Sequence, residues 1–458
     1  MSAPSGQHKL LKRRAMTTGM LTLTVFCCVS GGPFGLEPLI STSGAGVALL
    51  LIHIMPILWA LPDALTSCEL APAIPVEGGY VVWVKRAMGP FFGFLNAWWT
   101  WIYALIDAAI YPVLFTTYLR QLLAGFGVRT LENELASWLV AVTIIAIFTS
   151  LNIRGTRLVG RTSSAFAILL IAPFILLVLI GLFRLPEAPG SLLPATLTEG
   201  GTVTGALAAG LAIIMWNYLG WDALSTIAEE VDEPAKAYPR ALLVGVPLVT
   251  AVYFLPTLIG LAFLPDVTRW EEGAWPVIAE AVGGPWLGRI INVVALVSPL
   301  ALFTATLLGS SRVPFVLAED GYLPRGLVRI HPKFGTPVRA ILLCSVVYAV
   351  LAWRSFVELV ELNVIMYSCA LVLETGALLV LRWKEPELHR PFKIPGGWPV
   401  LILIFILPVS MAVLLVVLSV LEEGWRAQLP SLVAIASGPV VYGCLQLWKR
   451  LAVRSSTG

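Results

Sequence analysis

The chain has 458 residues, of which 58% are hydrophobic and only 12% charged, and its mean hydropathy is +0.87. Soluble domains carry about 25% charged residues, so the composition excludes a water-soluble globular protein and leaves a multi-pass membrane protein with only short polar loops. The net charge of +3 is too small to imply a nucleic acid or any other charged partner.

Runs of roughly 17–25 apolar residues are long enough to cross a bilayer, and twelve such runs are expected here. They lie near 16–42, 45–72, 91–119, 137–152, 163–183, 204–230, 241–264, 286–310, 338–353, 358–381, 398–421 and 429–448. With that count, 23 of the 30 Lys and Arg residues fall on one side and seven on the other. The positive-inside rule then places both termini in the cytoplasm. Lys9, Lys12, Arg13 and Arg14 precede the first run, and no small-residue cleavage site follows it, so it is read as a first transmembrane helix rather than a removed signal. The six cysteines lie in or at the ends of apolar runs without a CxxC, which suits small buried residues rather than a disulfide framework. No HExxH, GxSxG or P-loop occurs, and His53 is the lone intramembrane histidine. No enzymatic activity, resident metal or cofactor is expected.

The first run is interrupted at Ser30-Gly31-Gly32-Pro33-Phe34-Gly35-Leu36-Glu37-Pro38, with three glycines and two prolines in nine residues. Glycine lowers helix stability, and proline removes a donor and clashes with the preceding turn. Broken backbone survives in lipid only where protein or a watery cavity satisfies its N–H and C=O groups. The break therefore predicts a cavity near mid-membrane, the alternative being a simple proline kink.

Asp63 and Glu69 of the second run fall toward the cytoplasmic end, where water, Lys85 or Arg86 would satisfy them. The third run opens with Trp98, Trp99, Trp101 and Tyr103, which read as an interfacial belt. Deeper in the same run lies Asp107, with Tyr111 one turn on. An ionisable group at such depth is a candidate functional residue, unless neighbouring hydroxyls merely satisfy it.

The sixth run breaks at Trp216-Asn217-Tyr218-Leu219-Gly220-Trp221-Asp222. Gly35-Leu36-Glu37 and Gly220-Trp221-Asp222 both place a carboxylate two residues after a glycine. Matched interruptions in the first helix of each half point to an inverted-repeat transporter and to its binding site. The expected organisation is a cytoplasmic tail (1–15), a first five-helix repeat (16–183), a second (204–382), two appended helices (398–448) and a second cytoplasmic tail (449–458). Glu37 and Asp222 either cap half-helix ends, where unpaired N–H groups gather, or hold a cationic group or a proton. If Glu37 occupies such an end, the pocket has less need of a substrate carboxylate, which favours an amine-rich substrate.

Three motifs carry a family resemblance: Val29–Gly35, Ile106–Phe115, and Trp216–Asp222 followed by Ala228–Pro234 and Tyr238–Ala241. Supporting stretches are Glu69–Ala71 with Pro75–Tyr80, and Ser311–Phe315 with Glu319–Pro324. Across about residues 16 to 395 the chain resembles the amino acid–polyamine–organocation (APC) transporters, and within them the plant-type polyamine uptake branch and its bacterial relatives. The resemblance implies an all-α membrane protein of twelve transmembrane helices with a leucine-transporter-like 5+5 inverted repeat, helices 1 and 6 broken and helices 11 and 12 appended. It places Ser30, Gly31, Gly32, Phe34, Trp216, Asn217, Tyr218 and Gly220 around the substrate, with Asp107, Tyr111 and Asp222 as further candidates. Trp216 would cover a bound cation through its ring face. Two departures stand out. Ser30 replaces the first glycine of the Gly-x-Gly that many relatives carry, and no lysine lies between Arg161 and Arg184, where several proton-coupled relatives have one.

The expected function is uptake of polyamines or cationic amino acids across the plasma membrane by alternating access, coupled to a cation. A proton on Asp107, Asp222 or Glu374 is the first coupling candidate. Sodium near Ser298, Thr304 and Thr306 is the second. Glu37 is a further gating or coupling candidate. The alternatives are a neutral amino acid permease or exchanger and, less favoured, a non-transporting sensor or channel on the same scaffold. Partners are a small amine or amino acid and the lipid bilayer, with the oligomeric state open.

Overall fold

The computed structural model describes residues 18–76, 78–154, 163–193, 202–222, 233–319 and 321–456, and every regular element among them is a helix. The N-terminal tail, Glu77, most of the Ala228–Pro234 motif and Asp320 lie outside these residues.

The broken first run is two pieces, α1 (Thr18–Val29) and α2 (Glu37–Ser43). The second run is α3 (Ala45–Met55) and α4 (Leu61–Ala73) joined by a π-helical turn at Pro56–Ala60. Pro56 brings no N–H, and the ladder there widens so that the Leu61 N–H reaches the Pro56 carbonyl. A short helix, α5 (Gly79–Met88), stands between the second and third expected runs. Next come α6 (Pro90–Gly125), α7 (Glu134–Arg154), α8 (Ser163–Phe183) and α9 (Val203–Asn217). The second half continues with α10 (Pro234–Phe263), a short α11 (Trp275–Gly283), α12 (Pro285–Ser310), α13 (Val313–Glu319) and α14 (Val338–Leu351). It ends with α15 (Phe356–Lys384), α16 (Gly397–Glu423) and α17 (Leu429–Ser456).

Among the described residues, eight helical stretches are long and apolar enough to cross a bilayer. Three shorter apolar helices, Ile168–Phe183, Val203–Asn217 and Val338–Leu351, occupy the positions of the fifth, sixth and ninth expected runs. α6 and α15 are mostly buried and pack on each other at the centre, whereas α7, α16 and α17 turn most of their surface outward. Leu139, Ile147, Leu403, Ile406, Val413 and Val433 are exposed on those outer helices, as lipid-facing positions require.

Candidate functional site

The two breaks define the site. In the first, Gly32 (φ +85°) and Gly35 (φ +82°) adopt left-handed backbone, which only glycine enters freely. Two of the N–H groups freed there are taken by the chain itself. Gly32 N–H donates to Ser30 Oγ at 3.2 Å, and Gly35 N–H donates to Glu37 Oε2 at 2.8 Å. Glu37 Oε1 accepts from the Tyr118 hydroxyl at 2.5 Å, and the side chain is fully buried. Glu37 therefore fastens the mouth of α2 to α6, and it does not line the cavity.

The second break follows Asn217. Gly220 (φ +95°) turns the chain, and a Cβ at that position would sit 2.8 Å from the Cys28 carbonyl oxygen. The breaks thus meet back to back at a point where no side chain fits. Gly220→Ala is expected to lower stability by about 1–3 kcal/mol, read as a fall in the unfolding midpoint of the detergent-purified protein. An unchanged midpoint would mean that the close approach is not maintained.

Between the breaks, α6, α12 and α15 wall a cavity of about 90 Å³. Gly31, Gly32, Phe34, Asp107, Tyr111, Trp216, Asn217, Gly220 and Ser298 line it, all expected from the sequence. Tyr103, Tyr253, Asn363 and Tyr367 also line it and were not expected. Asp107 is the sole charged side chain on the wall among the described residues. Its Oδ2 accepts from Tyr111 at 2.8 Å and its Oδ1 from the Trp216 indole at 3.1 Å. Ser298 donates to the Gly31 carbonyl at 2.8 Å and so ties α12 to the first break. Asn363 donates to the Tyr103 carbonyl at 2.8 Å, and its own Oδ1 is buried with no partner among the described residues.

Asp222 sits just behind this wall. The Tyr103 hydroxyl reaches its Oδ2 at 3.0 Å and the Tyr367 hydroxyl its Oδ1 at 3.2 Å. Other candidates lie further off. Ser30 is buried behind the break, bonded to Gly32. Tyr218 points away, its hydroxyl on the Ile52 carbonyl at 2.9 Å. Thr304 bonds back to Leu300 of its own helix at 2.7 Å and does not join Ser298. Glu374 is buried beyond the cavity, where Asn96 Nδ2 donates to it at 3.1 Å.

Three expectations are corrected. Asp63 does not reach water or Lys85; it is buried against the Tyr367 hydroxyl. Glu69 pairs with Arg382 and Arg390 rather than with Lys85 or Arg86. Tyr103 is likewise no belt residue. The signal that could have found it is its spacing: Tyr103, Asp107 and Tyr111 recur every four residues and so share one helix face.

The family model for amino acid permeases matches residues 21–436. A probable polyamine transporter of Arabidopsis thaliana is 35% identical over 92% of this chain and 82% of its own length. A polyamine transporter of Oryza sativa subsp. japonica is 32% identical over 96% of this chain and 81% of its own. A branched-chain amino acid permease of Bacillus subtilis is more distant, 26% identical over 96% of this chain and 94% of its own.

Proposed function

The chain belongs to the amino acid permease family, a family of non-enzymatic membrane transporters, and on that premise we propose that it is a proton-coupled importer of polyamines. The observation that carries the substrate is the wall of the cavity between the breaks. It presents one carboxylate, Asp107, amid Tyr103, Tyr111, Trp216 and Tyr367, and no Lys, Arg or His among the described lining residues. An ammonium group gains a charge-assisted hydrogen bond to Asp107 and the ring face of Trp216. A substrate carboxylate would need free N–H groups at the first break, and two of those there, of Gly32 and Gly35, are already held by Ser30 and Glu37. A cavity of about 90 Å³ holds roughly six water-sized spheres, the scale of a short linear diamine. The names of the plant relatives support the same reading.

In this reading the chain has twelve spans, 16–183 and 204–382 being inverted five-helix repeats that alternate access to the cavity. Both termini face the cytoplasm, and the membrane is the plasma membrane. The test is uptake by the purified protein in proteoliposomes, with labelled putrescine and spermidine compared with arginine and leucine. Saturable putrescine or spermidine uptake, stimulated by an inward proton gradient, is the expected result. Carriage of leucine alone would replace the reading with a neutral amino acid permease.

A further inference from the structure

Asp63 of α4 and Asp222 at the second break come from opposite halves of the chain and meet on one side chain. The Tyr367 hydroxyl of α15 contacts Asp63 Oδ2 closely and lies 3.2 Å from Asp222 Oδ1. A tyrosine hydroxyl has one hydrogen to donate. Two ionised carboxylates on that single hydroxyl would leave one contact without its own hydrogen, an oxygen–oxygen repulsion in a buried site. Asp63 adds a second observation: it is 2% exposed, and its other oxygen, Oδ1, is buried with no partner among the described residues. An ionised carboxylate in that position would carry unsolvated charge. A neutral carboxyl there carries far less.

We propose that Asp63 and Asp222 share one proton through the Tyr367 hydroxyl and that this bridged pair is the coupling site of the transporter. With the proton on Asp63, its O–H donates to Tyr367, the Tyr367 O–H donates to Asp222, and Tyr103 donates to Asp222 as well. Each of these three contacts then has its own hydrogen, and a single negative charge rests on Asp222, which accepts from both tyrosines. Transfer is balanced. The Asp63 O–H breaks as its proton passes to Tyr367 Oη, the original Tyr367 hydrogen forms a new bond to Asp222, and the negative charge moves from Asp222 to Asp63.

Among the described residues, several titratable groups face this pair. Glu374 faces it from α15 and Tyr80 from α5. Tyr103 of α6, Cys28 of α1 and Cys68 of α4 adjoin it, and Tyr238 of α10 adjoins Cys68. The titratable groups of α16, Glu422 and Glu423, lie at its C-terminal end. Glu69, six residues along from Asp63, is held by Arg382 and Arg390. Tyr103 and Tyr367 also line the cavity. An ammonium group can only donate, so one bonded to the Tyr367 oxygen competes with the Asp63 O–H for that acceptor and so changes which carboxylate holds the proton.

The coupling half of the inference rests on the transport reading; the shared proton does not. Infrared spectroscopy of the purified protein at neutral pH tests the proton directly. A protonated-carboxyl stretch is expected, lost in Asp63→Asn, shifted in Tyr367→Phe and retained in Asp107→Asn and Glu374→Gln. A stretch that survives Asp63→Asn and is lost in Glu374→Gln would overturn the assignment. So would the absence of any such stretch. In proteoliposomes, Asp63→Asn is expected to lose proton-driven putrescine accumulation by about tenfold or more, while putrescine counterflow stays within about twofold of wild type. Undiminished proton-driven accumulation in that variant overturns the coupling role. If the wild type carries no amine yet the infrared pattern holds, the transport reading fails and the shared proton stands.

Discussion

Asp107→Asn is expected to lower putrescine uptake by about 100-fold, close to 3 kcal/mol of lost binding, with expression and unfolding midpoint unchanged. The structure explains why fold and function should separate here. Asp107 accepts from the Trp216 indole and the Tyr111 hydroxyl. The indole can only donate, whereas a tyrosine hydroxyl can donate or accept. An asparagine can turn its oxygen to Trp216 and its amide nitrogen to the Tyr111 oxygen, so both contacts survive. What is lost is the charge, and the described lining residues offer a bound ammonium group no other carboxylate. Tyr111→Phe leaves the charge in place, so its uptake should fall much less. Initial-rate uptake of labelled putrescine across a concentration series checks both variants. Near-normal uptake by Asp107→Asn at all concentrations would make Asp107 a structural residue.

The parts of this molecule that could be read from the sequence are those set by short-range rules. Apolar runs and their ends were legible because crossing a bilayer fixes helix length; the fifth expected run and α8 share the same limits, 163 and 183. Both breaks were legible because glycine and proline act locally, and their positive-φ glycines stand where the motifs placed them. Asp107 was legible from its depth alone. Partnership was not. Depth along α4 gives the height of Asp63 and Glu69 in the membrane but not which way they face, and each proved to meet a residue some 300 positions away, Tyr367 or Arg382. The same limit hid Asn363 and Tyr367, which look like ordinary interior polar residues until α15 is packed against α6. Tyr103 was hidden differently, because three tryptophans before it made a belt the simpler reading. α5 and α11 were missed because they are too short to announce themselves as spans.

Glu69→Ala is expected to lower stability by about 3–5 kcal/mol, the loss seen when one partner of a buried ion pair is removed. Glu69 is fully buried near the C-terminal end of α4, and Arg382 and Arg390 are 8% and 3% exposed. Arg382 makes a two-pronged contact, Nε to Oε1 and Nη2 to Oε2, each at 2.5 Å. Arg390 Nε lies 3.1 Å from Oε1, and the Ile394 N–H donates to Oε2 at 2.9 Å. One carboxylate thus balances two guanidinium groups and pins the segment after α15 onto α4. Alanine would leave Arg382 buried without this counter-charge, take from Arg390 its paired carboxylate and free the Ile394 N–H. Glu69→Met and Arg382→Met each remove one side of the pair, whereas the double variant removes both and leaves only Arg390 without Glu69, so it should lose less than those two single variants combined. Unfolding midpoints of the four proteins in detergent, read as a double-mutant cycle, test this. If each single variant stays within about 1 kcal/mol of wild type, the ceiling for a solvent-exposed pair, then this ion pair is not buried in the way its geometry implies.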